Sequence, residues 1–578
     1  MPEEAKAGET WAVRRTRWLN RLHARRAART PPPDSFDSVS EPRMIGSVAL
    51  GRQLLAGDFL FAGHFVEAPD TAIWDIEAPG PGFESARQGF GWLDDLAALG
   101  DARARRAAQD WTWGWIARHG TGRAEGWTPE LAGRRLVRWL QHAPFLLRGQ
   151  TATRRREFLA SLAGQTAFVS KRWSAAPSGR PRIEALCGLI LSALSQAGTA
   201  ARMDPALRGL AKECGRQIDA GGALRSRNPE ELLDVFTLLS WTSQALEDAG
   251  RPPPGALTQA LERSAPVLRA LRHADGGLAR FHGGGRGAEG RLDLALSAWG
   301  RRTAPSEGPA MGYARLAAGR TSVIMDAAPP PGGPDGHAST LAFELSSGRR
   351  PLIVNCGSGA TFGETWRRAG RSTQSHSTLG LDGVWSSRLA AGSAGDELRH
   401  RPGEVRLQRG GTAGEQKIVA GHDGYIATHG LTHVRTLVLS RDGRTLTGED
   451  TLGALSEADR ALLERRLGET GTGGVPFSVR FHLHPSVEAR IEGETLTLEL
   501  PSGEVWVFEQ TGADGISLVP SVYLERGRLK PRATRQIVLP GRIGGSAAQI
   551  GWTLAKAHGT PAGIRDLAGG AEADLSWE

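Results

Sequence analysis

Residues 333–359 read "GPDGHASTLAFELSSGRRPLIVNCGSG", and the alternation in this stretch decides how the second half of the chain is built. From Leu341 to Ser347 apolar and polar residues take turns, which is the period of a β-strand with two unlike faces. Arg349, Arg350 and Pro351 break the run, and Leu352, Ile353 and Val354 resume an apolar one. Two such runs around a short break predict a β-hairpin. The hairpin carries His337 on its glycine-rich approach and Asn355 where its second strand stops. His337 is either a working residue held by the sheet or a histidine that happens to precede a strand. Periodicity leaves both readings open.

The same period of two continues outward from this hairpin. It recurs in "TSVIMDA" (321–327), "THVRTLVLSRDGRTLTGED" (432–450), "FSVRFHLHP" (477–485), "EVWVFEQT" (504–511) and "RQIVLP" (535–540). Arg441-Asp442-Gly443 lies between two alternating runs and should close a second hairpin. Many strands in series with no helices between them predict an antiparallel β-sandwich. Toward the N-terminus the period changes to that of helices. In "SRNPEELLDVFTLLSWTSQALEDAG" (226–250), Asn228 is the predicted N-cap, Pro229 the first helical residue and Glu231 the third. "RIEALCGLILSALSQAG" (182–198) is apolar nearly all round, so it is expected to be an inner helix. Helices joined by short loops pack as antiparallel hairpins, and a series of them closes into an α/α toroid or forms a solenoid. The expected division is a basic tail over 1–44, a helical toroid over 45–305, a β-sandwich over 306–565 and a short tail over 566–578. The boundary falls in "GRRTAPSEGPA" (300–310).

The chain of 578 residues carries a net charge of +9, much of it in the first thirty residues. There Trp11, Trp18, Leu19 and Leu22 can share one helical face with arginines around the rest. Residues 11–29 are therefore a candidate for peripheral contact with a membrane, or for a solvated helix loosely tethered to the body. With that tail set aside, little basic excess remains for nucleic acid, and no nucleic-acid motif is found. No secretory signal or membrane span is evident, so a cytoplasmic or envelope-associated protein is expected. Cys187, Cys214 and Cys356 are scattered outside any metal-type spacing and read as buried thiols. Trp111, Trp113 and Trp115 read as packing residues, with sugar stacking as the alternative. His482 and His484 alternate with Phe481 and Leu483 and are expected on a polar strand face. His422 is expected in a turn, and His433 and Arg435 on the outer face of a strand.

Three pieces of the second half resemble the heparinase II/III family of polysaccharide lyases: "GYARLAAGRTSVIMDA" (312–327), "GHASTLAFELSSGRRPLIVNCGS" (336–358) and "RSTQSHSTLGLDG" (371–383). The resemblance implies an α/α toroid followed by an antiparallel β-sandwich, in agreement with the two periods. It also implies β-elimination on a uronic-acid polysaccharide. That reaction needs a group that neutralises the uronate carboxylate, a base for the adjacent proton and an acid for the leaving oxygen. Carried over motif by motif, the resemblance makes His337 and His376 candidate bases and Arg227 or Arg371 the carboxylate's partner, with Glu184 a further acid–base group. Asn228, Asp335, His433 and Arg435 become candidate substrate contacts. The resemblance further implies one divalent metal, zinc or calcium, held by His337, Asn355 and His376, and no organic cofactor. An anionic polysaccharide or oligosaccharide is the implied partner.

The sequence departs from the family pattern at several of these places. Its three tyrosines, Tyr313, Tyr425 and Tyr523, all lie in the second half, so the toroid lacks the family's catalytic tyrosine. Ser339 stands for the aspartate of the family's His-Ala-Asp motif, and Asn355 for a strand-ending acid. Three functional readings follow: a lyase with a recruited base, a carbohydrate-binding relative that has lost the chemistry, and a glycoside hydrolase. The hydrolase requires two opposed carboxylates, for which Glu184 and Asp335 are the candidates.

Overall fold

In the computed structural model the described residues are 11–33, 36–37, 44–123, 126–301, 308–390, 397–470, 473–493, 495–526 and 528–559. The expected C-terminal tail, 566–578, lies outside them, as do residues 1–10 and the 302–307 part of the expected boundary.

Up to Trp299 the described chain is helical apart from one small hairpin, Asp58–Phe61 with His64–Glu67. The helices start where side chains can take up their orphan N–H groups. Thr128 Oγ1 accepts from Leu131, and Asn228 Oδ1 accepts from both Glu230 and Glu231, with proline at the first turn of each helix. The helix Arg180–Ser195 is buried over nearly its whole length, as its all-round apolarity predicts. It lies against Pro129–Gln141, Pro229–Asp248, Ala152–Arg172 and Met203–Gln217, so successive hairpins wrap around it as an α/α toroid. Its contact with Pro129–Gln141 is backbone to backbone. A Cβ on Gly133 would lie 2.4 Å from Ala185 Cα, and one on Gly188 would lie 2.6 Å from the Gly133 carbonyl oxygen. Trp113 and Trp115 are buried and Trp111 is half-buried, all in the toroid core, which settles them as packing residues.

The helix Trp11–Ala27 docks on Ala152–Arg172 through Asn20, Ala24 and Ala27, and Asn20 Oδ1 accepts from Arg172 Nε at 2.8 Å. Small residues make this contact, so the helix is docked on the body and not loosely tethered. Trp11 and Trp18 remain 75% and 62% exposed.

Beyond Tyr313 the chain forms two antiparallel eight-stranded sheets. One runs in the order Val405–Thr412, Glu415–Tyr425, Leu431–Ser440, Thr445–Gly453, Ala547–Lys556, Val505–Thr511, Thr495–Glu499, Glu488–Glu492. The other runs Ser517–Tyr523, Arg532–Ile543, Val475–Leu483, Arg350–Val354, Phe343–Ser347, Thr321–Asp326, Tyr313–Ala318, with Leu379–Leu381 added beside Val475–Leu483. The two sheets face each other across a core in which Phe343 stacks on Trp552 at 5.6 Å and Phe481 meets Trp552 edge-on at 4.9 Å. The hairpin predicted from residues 341–354 is present, with Phe343–Ser347 paired to Arg350–Val354. Its polar face is dry, however. Every residue of Thr321–Asp326 and Phe343–Ser347 is buried, because the toroid covers the outer face of this sheet. Tyr313 and Ile324 on that face belong to the toroid's core, and Glu344 accepts a hydrogen bond from the Arg280 N–H.

Candidate functional site at the seam between toroid and sandwich

The residues singled out by the sequence meet where a toroid loop, 272–287, crosses the sandwich loop 327–342. Asp326, at the end of its strand, is fully buried and gathers both halves. Its Oδ1 accepts from Arg227 Nη2 at 2.5 Å, and its Oδ2 accepts from Ser339 Oγ at 2.7 Å. His282 Nε2 lies 3.3 Å from the same Oδ2. Burial alone would raise the Asp326 carboxyl, but Arg227 and His282 outweigh it and hold the group well below the usual carboxylate range.

From this hub a chain of rings leads to His337. The His337 N–H donates to His282 Nδ1 at 3.1 Å, so His282 carries its proton on Nε2, facing Asp326. His376 Nδ1 donates to the Ser372 carbonyl at 2.7 Å, which leaves its Nε2 to accept from His337 Nδ1 at 3.1 Å. His337 therefore holds its remaining lone pair on Nε2. Burial pushes the His376 imidazole down to about 3, and burial with the neighbouring His376 and His282 depresses His337 well below its ordinary value. Both rings are neutral near pH 7, the state a base requires.

The other candidates are committed elsewhere. Arg227 donates to the carbonyls of Met311, Gly312, Ala328 and Pro329 as well as to Asp326. Its guanidinium is a strut between the halves. Arg371 is buried; its Nε donates to the Gly336 carbonyl and its own carbonyl accepts from Ala338 N–H, so it clamps the loop that presents His337. Glu184 sits between Arg134 Nε at 2.5 Å and Arg180 Nε at 2.9 Å. These bonds place it in the toroid's ionic network. Asn228 caps its helix, and Asp335 is exposed at the rim, where a Cβ on Gly283 would lie 3.3 Å from its own Cβ.

His433 and Arg435 are corrected by the structure. Both are fully buried inside the sandwich, paired with Asp450 at 2.8 Å each, and Arg435 also donates to the Leu341 and Ser377 carbonyls. An odd-numbered stripe of the strand Leu431–Ser440 faces the core, and these two polar residues lie on it. They cannot touch a substrate. His422 is likewise buried within a strand and bonds His433, so the expected turn is absent. His482 is buried against Ser521 Oγ and the Gln374 carbonyl, so the expected polar strand face is covered at that point.

The set implied for a metal does not fit one. Asn355 Oδ1 is fixed by the Ser377 N–H at 2.9 Å, and that donor determines which way the amide points. Its Nδ2 is buried with no hydrogen-bond partner, and an amide nitrogen with two protons has no lone pair for a cation. A carboxylate would have placed its second oxygen there. Among the described residues no group of three or more His, Cys, Asp or Glu is arranged to hold a metal.

His282, Asp326 and Glu231 are missed by sequence reasoning as site residues. The signal for His282 is its place in "FHGGG" (281–285), a glycine-rich loop in which the histidine itself takes a left-handed φ of 46°. Glu231 stands at the third position of its helix. Burial, with Asp234 and Asp335 nearby, raises its carboxyl against the Ser226 hydrogen bond and the Arg180 charge.

Residues 300–553 match the family model described as Heparinase II/III-like, C-terminal. The chain is 29% identical over 544 residues to "FtsZ-localized protein C" of Caulobacter vibrioides, covering 92% of each protein. The crystal structure of heparinase III superposes with a TM-score of 0.66 at 12% identity, over 94% of this chain and 90% of that one. The mutant heparan sulfate lyase HepC of Pedobacter heparinus gives 0.55 at 14% identity, over 96% and 92%. The matched sandwich and the likeness of fold lead to one assignment: residues 300–553 form a Heparinase II/III-like C-terminal domain, set on a helical toroid as in the fold of heparinase III.

Proposed function

We propose that this protein binds an acidic polysaccharide at the seam around His337 and Asp335 and is not fully equipped to cleave it. The observation that carries this reading is the commitment of Arg227. Elimination needs a cation free to meet the uronate carboxylate, and this guanidinium is spent on Asp326 and four carbonyls. Tyr313 cannot replace the missing tyrosine acid, because its hydroxyl is buried against the Arg227 carbonyl at 2.5 Å. The lyase reading rests on His337 Nε2, a neutral base with its other nitrogen anchored. The hydrolase reading loses Glu184, which is locked between two arginines.

One experiment separates these readings. The purified chain is mixed with heparan sulfate, chondroitin sulfate and bacterial uronate polymers, and both affinity electrophoresis and the ultraviolet absorbance of unsaturated uronate are followed. Retardation without new absorbance is expected. A rise in absorbance that disappears in His337→Ala would establish the lyase instead. New reducing ends without that absorbance would establish hydrolysis.

A second reading concerns placement. Trp11 and Trp18 point outward from a docked helix studded with arginine, a pattern suited to the headgroup region of an anionic membrane. Among the described residues no helix is long and apolar enough to cross a membrane. We infer that the helix is a peripheral membrane contact, and that the chain localises with FtsZ as its Caulobacter relative's name states for that protein. The double variant Trp11→Ala/Trp18→Ala is expected to fold normally and to lose sedimentation with phosphatidylglycerol vesicles. Undiminished sedimentation would refute the contact, and a fluorescent fusion that ignores FtsZ rings would refute the localisation.

A further inference from the structure

A concave site lies across Tyr313 from the seam histidines. Between the end of the helix Gly255–Ala270 and the outer face of the strand Tyr313–Ala318 is a cavity of about 420 Å³. Among the described residues its lining holds Arg269, Arg315 and Arg409, and no Asp or Glu. Arg315 is rooted in the toroid, with Nη1 donating to the Ala270 carbonyl at 2.9 Å and the Arg272 carbonyl at 2.6 Å. Arg409 reaches across from the edge strand of the other sheet and donates Nη2 to the Arg315 carbonyl at 3.0 Å. Gln416 steadies that edge by bonding both the N–H and the carbonyl of Ala317. Leu271 and Ile324 supply an apolar floor.

These features have a common consequence. Arg315 is largely withdrawn from water, burial lowers its hold on its proton, and among the described residues no carboxylate lies against it. Two other buried guanidiniums lie beside acids, Arg227 beside Asp326 and Arg435 beside Asp450, while that of Arg280 is held by carbonyls. In this groove no Asp or Glu among the described residues lies beside Arg315 or Arg409. A guanidinium fork fits a carboxylate or phosphate, and the cavity falls within the size range of small-molecule sites.

We propose that this groove binds a small oxyanion-bearing ligand with one apolar face, an acidic or phosphorylated sugar. The site is separate from the buried histidines of the seam. Tyr313 stands between them, lining the groove while its hydroxyl bonds the Arg227 carbonyl and its ring lies 6.3 Å from His282.

Isothermal titration of the full chain with glucose 6-phosphate, glucuronic acid and glucose tests this. At least one of the two anions is expected to bind and glucose is not; which anion binds tells phosphate from carboxylate recognition. Arg409→Glu, at an exposed position, is expected to weaken binding by about tenfold or more, with Arg409→Lys intermediate. His337→Ala should leave the affinity unchanged, whatever its effect on polysaccharide binding at the seam. Absence of heat with both anions up to millimolar concentration would overturn the proposal. So would equal affinity in Arg409→Glu, or loss of binding in His337→Ala.

Discussion

At the residue scale the seam depends on charges that water does not reach. Asp326 faces Arg227 and His282 in a fully buried setting, so taking its charge away leaves a guanidinium uncompensated. Asp326→Asn is expected to cost about 3–5 kcal/mol in urea unfolding. A loss under about 1 kcal/mol would show that Arg227 is satisfied by its carbonyls alone. The buried histidines set a pH dependence. His376 and His482 are held down to about 3 and about 4, chiefly by burial, against an ordinary value of 6.5. Their contribution is fully present above 6.5, and it declines as pH falls toward the folded values, because the unfolded chain takes up protons the native rings refuse. Each ring contributes a slope of up to about 1.4 kcal/mol per pH unit. Urea midpoints should therefore fall steadily from neutral pH to about 5, and fall less steeply in His482→Gln.

At the scale of elements, the toroid rests on a helix pair packed without side chains between them. Gly133 and Gly188 let Pro129–Gln141 and Arg180–Ser195 approach until backbone atoms touch. A methyl group at position 133 has nowhere to go, since the atoms it meets are the backbone of Ala185 and the Glu184 carbonyl. Gly133→Ala should destabilise by at least the usual 1–3 kcal/mol of overpacking, although alanine is the better helix former. A thermal midpoint unchanged or raised would show that the helices can slide apart freely. The same displacement would move Glu184 from Arg134 on the facing helix, while Arg180, four residues before it on its own helix, would stay in place.

At the scale of the molecule, Arg280 ties the halves together. From the toroid loop its guanidinium reaches the carbonyls of Asn355, Cys356 and Leu524 and lies 4.0 Å over the Tyr523 ring. Arg280→Ala leaves those carbonyls buried without that donor, at a cost of about 3 kcal/mol or more. Helical and sheet signals should then melt at separate temperatures in circular dichroism, where the parent chain melts once. A single transition at the parent midpoint would show that the interface holds through its apolar contacts. His337 hangs from the same seam through the loop clamped by Arg371, so loosening of Arg280 should also weaken polysaccharide retardation.

The sequence by itself determined the elements and their class. Alternation at 341–354 marked the hairpin, Asn228-Pro229 marked a helix start, and the change of period near 300–310 separated toroid from sandwich, because local periodicity and capping act within a few residues. It also singled out His337 and His376 through their motifs. Only the tertiary structure decided which polar residues are free. Arg227 is expected on the uronate carboxylate and Arg435 on a strand's outer face, yet each is consumed by an aspartate about one hundred or fifteen positions away. Glu344 and Ser346 alternate as a wet strand face would, yet the toroid lies on them. His282 joined the site from a loop 55 residues before His337. Burial at a seam between two halves depends on contacts that no local pattern encodes, and here that burial turns candidate catalytic groups into struts.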